Sequence, residues 1–268
     1  MTRYTLSDRG SQMVRIERFP TADALMAGAA EHFVSDALQA VRASGRFAVA
    51  LSGGATPRRL YEMLASPAYA GRVDWSRVHC FWGDERCVLP ADPASNYCMT
   101  REALLDHVPV PHANVHRIRG EDAPARAAAM YERELRQAFA TQEGPPGLAV
   151  GRRFDLVLLG MGDNGHTASL FPGLTAVCEN QRWVVAEHIA EMWRVTLTPP
   201  VLNAAVHVAF VVSGAGKAAM LHRVLEGPSN PSVLPAQAIV PVDGVLDWLV
   251  DADAAARLHL EERGRGPT

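Results

Sequence analysis

Apolar positions along this chain gather into short runs, and each run stops at a cluster of glycine, serine or charge. From Val14 to Phe19, Val, Ile and Phe alternate with Arg and Glu, the period of a half-exposed edge strand. Pro20 and Thr21 then lead into a long alanine-rich helix that ends near Gly45. The run Leu156 to Leu159 is unbroken, as a parallel strand buried on both faces is, and Phe47 to Leu51, Val78 to Trp82 and Val206 to Val212 also read as apolar strands. Shorter strands are expected at Val115 to Ile118, Trp183 to Ala186, Trp193 to Leu197 and Pro235 to Val240. Helical stretches alternate with them. One has Thr56 as N-cap and Pro57 at its first position, and another runs from Ser95-Asn96-Tyr97 to about His107. Asp122 caps a third that reaches Ala140, Pro199-Pro200 starts a short one through Asn203, and two more cover Ala218 to Leu225 and Gly244 to Ala256. Trp248, Leu249 and Leu246 in the last of these read as core.

Strands that repeatedly feed small-residue turns opening onto helices predict an α/β fold, doubly wound and Rossmann-like, with a mainly parallel sheet flanked by helices. The glycine- and proline-rich stretch from Thr141 to Arg153 reads as the longest loop, an insertion within one domain. That domain is expected over residues 14–260, with tails at 1–13 and 261–268.

Composition narrows the function classes. The 268 residues carry a formal net charge of −3, which gives no bulk attraction to nucleic acid or membrane, so an anion must be caught locally. Cys80, Cys87, Cys98 and Cys178 form no C-x-x-C pair and no metal-ligand spacing, the pattern of reduced cytosolic thiols. The polar start of the chain lacks an apolar signal region, and no apolar run approaches the ~20 residues of a membrane span. A cytoplasmic protein is expected.

The chemistry concentrates at strand ends. After Leu159 come Gly160, Gly162 and Gly165, which suit positive φ or close approach, and the next residue is His166. A titratable imidazole there lies where open α/β sheets bind ligands, although a structural turn with a solvent-facing histidine fits the segment as well. Gly160 to Gly165 also matches G-x-G-x-x-G, with Glu187 at about the ~20-residue spacing of a dinucleotide fingerprint. Pro172 and Gly173 interrupt the helix that this fingerprint requires, which argues against a nicotinamide cofactor. After Leu51, the turn Ser52-Gly53-Gly54-Ala55-Thr56 opens onto a helix N-terminus and offers a phosphate site, or else an ordinary β-α turn. Asp84, Glu85 and Arg86 follow Trp82 and could orient sugar hydroxyls or steer a histidine's protonation. Ser213-Gly214-Ala215-Gly216-Lys217 places a lysine at another helix start, without the Walker spacing.

Together these segments resemble the 6-phosphogluconolactonase family, within the larger group that also holds the glucosamine-6-phosphate deaminases. The resemblance rests on Leu51 to Pro57, Trp82 to Arg86 with Ser95-Asn96-Tyr97, Gly160 to Pro172, Arg194 to Thr198, and Ser213-Gly214 with Lys217. It implies hydrolysis of 6-phosphoglucono-δ-lactone to 6-phosphogluconate in the pentose phosphate pathway, without metal or organic cofactor. The phosphate would lie on Ser52, Gly53, Gly54 and Thr56, completed by Arg194 and Lys217. His166 would act as base and then acid, with Arg86 or turn N–H groups on the oxyanion and Asp84 nearby.

The family usually carries aspartate two residues before this histidine, whereas this chain has Asn164. An amide brings no negative charge, so orientation of His166 falls to Asn164 as a neutral partner, or to Asp163, Asp84 or Glu85. Two other functions share the fold. An amino-sugar phosphate deaminase-isomerase would need a glutamate after the histidine and a tyrosine in the charged turn, and this chain has neither. A non-catalytic sugar-phosphate sensor would bring a basic helix-turn-helix, for which the residues before Val14 are too few.

Overall fold

The computed structural model describes residues 2–7, 13–140 and 153–259. Its centre is an eight-stranded sheet. The strands are β1 (Thr2–Ser7), β2 (Met13–Phe19), β3 (Phe47–Leu51), β4 (Val78–Trp82), β6 (Val115–His116), β7 (Leu156–Leu159), β10 (His207–Val212) and β11 (Val245–Asp251). Their spatial order is β1-β2-β11-β10-β7-β3-β4-β6. All neighbours from β2 to β6 pair in parallel, and β1 alone is antiparallel. From β3 the chain steps outward to β4 and β6, then returns to lay β7, β10 and β11 on the other side. The order therefore reverses between β3 and β7, and the crevice outside the carboxyl ends of a parallel sheet opens at such a reversal.

The helices are α1 (Ala22–Ser44), α2 (Ala55–Leu64), α3 (Asn96–Thr100), α4 (Pro124–Ala138), α5 (Pro199–Leu202) and α6 (Ala218–Glu226). The first begins as its sequence dictates, with Thr21 accepting from the Ala24 N–H at 3.1 Å, and it ends at Gly45 with φ +77°. A second sheet, β5-β9-β8, is antiparallel and built from β5 (Asp84–Arg86), β9 (Met192–Leu197) and β8 (Val184–Ile189). It packs against α4 and carries Arg194 to a position opposite Arg86.

Several expectations change. The run Val14 to Phe19 is not an edge, because Thr2–Ser7, read as tail, forms β1 outside it. Gly244 to Ala256 is not a closing helix but holds β11, between β2 and β10. Its spacing imitates a helix because Asp247, a polar position inside an otherwise apolar run, is fully buried and bound by Arg15 at 2.5 and 2.6 Å. Pro235 to Val240 forms a short 3-10 turn over Pro235–Ala238 rather than a strand. Neither Thr56 nor Asp122 caps a helix: α2 starts from Gly54 at φ +105°, and α4 from Ala123 with Pro124 in its first turn. The loop expected from Thr141 lies, at residues 141–152, outside the described residues, as do 261–268. Trp248, Leu249 and Leu246 are core as expected, with Trp248 stacked on Phe210 at 3.9 Å.

Candidate active site

Four parallel strands, β10, β7, β3 and β4, end side by side, and the turns after them enclose a cavity of about 390 Å³. Ser52, Gly53, Gly54, Thr56, Asp84, Arg86, His166, Arg194 and Lys217 all line it. Of the expected site residues, Asn164 alone is set back, against His166.

The turn after β3 is clamped from below. Tyr61, wholly buried on α2, donates its hydroxyl to the Ser52 carbonyl and accepts from the Ser52 N–H, both at 2.9 Å. Gly53 is glycine because a Cβ there would fall 1.8 Å from Asn96 Oδ1. The Ser52 hydroxyl is buried and has no partner among the described residues. A buried hydroxyl left unbonded costs free energy unless a ligand or water completes it.

The charged turn after β4 divides into different jobs. Glu85 is buried and accepts from the N–H groups of Arg86, Asn96 and Tyr97 at 2.7, 2.7 and 2.8 Å and from Ser95 Oγ at 2.9 Å. Burial raises its carboxyl above the usual value against those donors. Its four contacts are spent on the start of α3 and on the Arg86 N–H, so Glu85 has nothing left for His166. Asp84 accepts from Ser169 Oγ at 2.6 Å and from Asn96 Nδ2 at 3.2 Å. Arg86 donates to Asn96 Oδ1 and to the Ala94 carbonyl, which leaves part of its guanidinium for the cavity.

Beyond β7, only Gly165 of the three glycines has positive φ, +80°. Gly162 serves by closeness, since a Cβ there would lie 2.0 Å from the His166 ring. No helix opens at these glycines, and the chain instead makes a small bridge between Thr167 and Leu170, so the dinucleotide fingerprint lacks its structural context. Asn164 Oδ1 accepts from His166 Nδ1 at 2.6 Å and from the His166 N–H at 3.2 Å. An amide oxygen can only accept, so Nδ1 holds the ring proton and Nε2 keeps its lone pair. The ring lies flat on Phe171, with centroids 4.0 Å apart and 13° between planes. Arg194 sits over the same phenyl ring at 5.5 Å. Burial pulls the His166 pKa down to about 4, Asp84 pushes it up, and Arg194 and Lys217 push it down again.

The two cations differ. Lys217 is held by exposed Asp163 at 2.6 Å, and Asp163 acts on the histidine only through its charge, which favours the protonated ring. Arg194 Nε is buried and lacks a partner among the described residues. Burial, and then the neighbouring Arg86, lower the Arg194 pKa, as expected for a guanidinium short of its anion. Asn96, Ser169 and Phe171 were not among the expected site residues. They stand inside the quoted motifs, but nothing local says that Ser169 reaches Asp84, 85 positions earlier.

The profile of the family described as glucosamine-6-phosphate isomerases/6-phosphogluconolactonase matches residues 20–248. The chain belongs to this family. A 6-phosphogluconolactonase of Nostoc sp. is 41% identical over 247 residues, covering 91% of this chain and 98% of that one. The solved 6-phosphogluconolactonase of Trypanosoma brucei superposes with a TM-score of 0.77 at 29% identity, covering 91% and 98% of the two chains. A monomeric glucosamine-6-phosphate deaminase shares the fold, with a TM-score of 0.74 at 18% identity over 91% of this chain and 99% of that one. Among the described residues no helix is long and apolar enough to cross a membrane.

Proposed function

We propose that this chain hydrolyses 6-phosphoglucono-δ-lactone to 6-phosphogluconate in the cytoplasm, as a step of the pentose phosphate pathway, with His166 as general base. The observation that carries the base assignment is the Asn164 contact: it fixes the proton on Nδ1 and leaves Nε2 free in the cleft. Nε2 takes a proton from water as the water oxygen attacks the lactone carbonyl carbon. The carbonyl oxygen becomes an oxyanion beside Arg86 and the turn N–H groups. Its collapse breaks the bond to the ring oxygen, which receives the proton back from the imidazolium and leaves as the sugar hydroxyl. The phosphate rests on Ser52, Gly53, Gly54 and Thr56 at the N-terminus of α2, neutralised by Arg194 and Lys217. The unpartnered Ser52 Oγ and Arg194 Nε supply the donors that such a dianion would use.

The test is acid release from freshly prepared lactone, measured above the spontaneous background. Removing a positioned general base costs roughly 10²–10⁴-fold, so His166→Ala should lower kcat by about that factor. Its affinity for 6-phosphogluconate should stay near wild type, because the phosphate ligands stand on other strand ends. A variant keeping most of the wild-type kcat would move the base to Asp84, and a wild-type protein without turnover would remove the assignment altogether.

A further inference from the structure

Away from the cleft, two groups of imidazole and carboxylate side chains bring their ligand atoms within 4.8 Å of one another. The first, His32, His207 and Asp247, is already complete as an ion-pair network. Arg15 grips both Asp247 oxygens at 2.5 and 2.6 Å, and His207 lies between Asp36 at 2.7 Å and Asp247 at 3.0 Å.

The second is different in kind. His222 and Glu226 stand one turn apart on α6 and so share a face. His259 approaches that face from beyond β11. Both imidazoles converge on one oxygen, Glu226 Oε2, through His222 Nδ1 at 2.9 Å and His259 Nδ1 at 2.7 Å. The other oxygen is fixed by the His259 N–H at 2.7 Å, which turns Oε2 between the two rings. His222 Nδ1 is buried and lies at ion-pair distance from Oε2 without the alignment of a hydrogen bond. Among the described residues no lysine or arginine pairs with Glu226, so no side-chain cation competes for this carboxylate. Two nitrogen donors and one carboxylate, with a fourth side toward solvent, match the donors that zinc and its neighbours prefer. Metal bonds of about 2.0–2.2 Å put tetrahedral ligand atoms about 3.4 Å apart, a separation that small ring rotations would reach here.

We propose that His222, Glu226 and His259 form a binding site for a divalent transition-metal cation of the zinc class, which fastens residue 259 to the end of α6. The site is structural and independent of the lactone chemistry, since none of its ligands lines the cleft. The experiment is calorimetric titration of the metal-free full chain with Zn²⁺ alone, near neutral pH. Wild type should show one saturable site. His222→Ala, His259→Ala and Glu226→Gln should each weaken it at least tenfold, and lactone turnover should be unchanged in all three. Zn²⁺ should also raise the wild-type unfolding temperature but leave that of the His222→Ala/His259→Ala double variant where it was, because a ligand of the folded state alone stabilises by mass action. The double variant's unfolding temperature without metal checks that it folds. Saturable binding that survives in the double variant, or that disappears in His207→Ala instead, places the metal elsewhere and overturns the proposal. Absence of saturable binding to wild type overturns it too.

Discussion

The His166 imidazole gains no charge from Asn164, whose amide oxygen holds Nδ1 at 2.6 Å, and burial keeps the ring's pKa at about 4. A base is active when unprotonated, so the acid limb of kcat/KM should lie near pH 4 rather than at the ordinary imidazole value of about 6.5. Asn164→Asp puts a carboxylate against Nδ1, favours the imidazolium and should move that limb to higher pH. Superimposable pH profiles for the two proteins would refute this. Phe171 supplies the second restraint on the ring by stacking at 4.0 Å. Such contacts are worth about 0.5–1.5 kcal/mol, so Phe171→Leu should lower kcat roughly 2- to 12-fold while KM stays put. A change in KM alone would assign Phe171 to binding instead. The histidine was legible in the sequence because a glycine turn at a strand end is a local signal. Asp84 was legible as a candidate neighbour, whereas the stacking partner Phe171 was not, since which side chains meet around a cleft is decided by tertiary packing.

At the level of the element, short structures around the cleft are pinned by buried polar groups rather than by their own propensity. The five-residue helix α3 starts on the Glu85 carboxylate, which takes the N–H groups of Asn96 and Tyr97. Glu85→Gln would turn an amide NH2 toward a donor and should cost about 1–3 kcal/mol in denaturant unfolding. A variant as stable as wild type would contradict the pinning. Gly53→Ala should be worse for activity than for stability, because its methyl displaces Asn96 and with it the contact to Arg86. The rhythm of strand, small-residue turn and helix was readable from the order of apolar runs. β11 was not, because a buried carboxylate in a central strand looks, in sequence, like the solvent face of a helix.

Across the whole molecule, charge is buried at the amino end of the sheet as well as at the catalytic end. Burial works against protonating His207, but Asp247 and Asp36 outweigh it and raise its pKa to about 9. Asp247 is also opposed by burial, and His207 and Arg15 bring it down to about 2. The His207 contribution is fully present below the unfolded value of about 6.5 and is lost as pH rises through about 9. The Asp247 contribution is present above about 3.8 and is lost as pH falls through about 2. Urea unfolding should therefore show wild-type stability declining between pH 6.5 and 9 by up to about 3 kcal/mol, and His207→Gln should lack that decline. Equal slopes in both proteins would rule the network out as the cause.

β1 has one more consequence, for solubility rather than for chemistry. Its six residues pair along β2 and cover that strand's outer side, and at the far margin β6 is two residues long. Deleting Thr2–Ser7 would uncover the amides and carbonyls of β2 as a template for strand addition from a second molecule. Because β7 stands four places along the sheet from β1, the shortened protein should still turn over lactone. In sedimentation velocity, however, it should self-associate as concentration rises, while the full chain does so less.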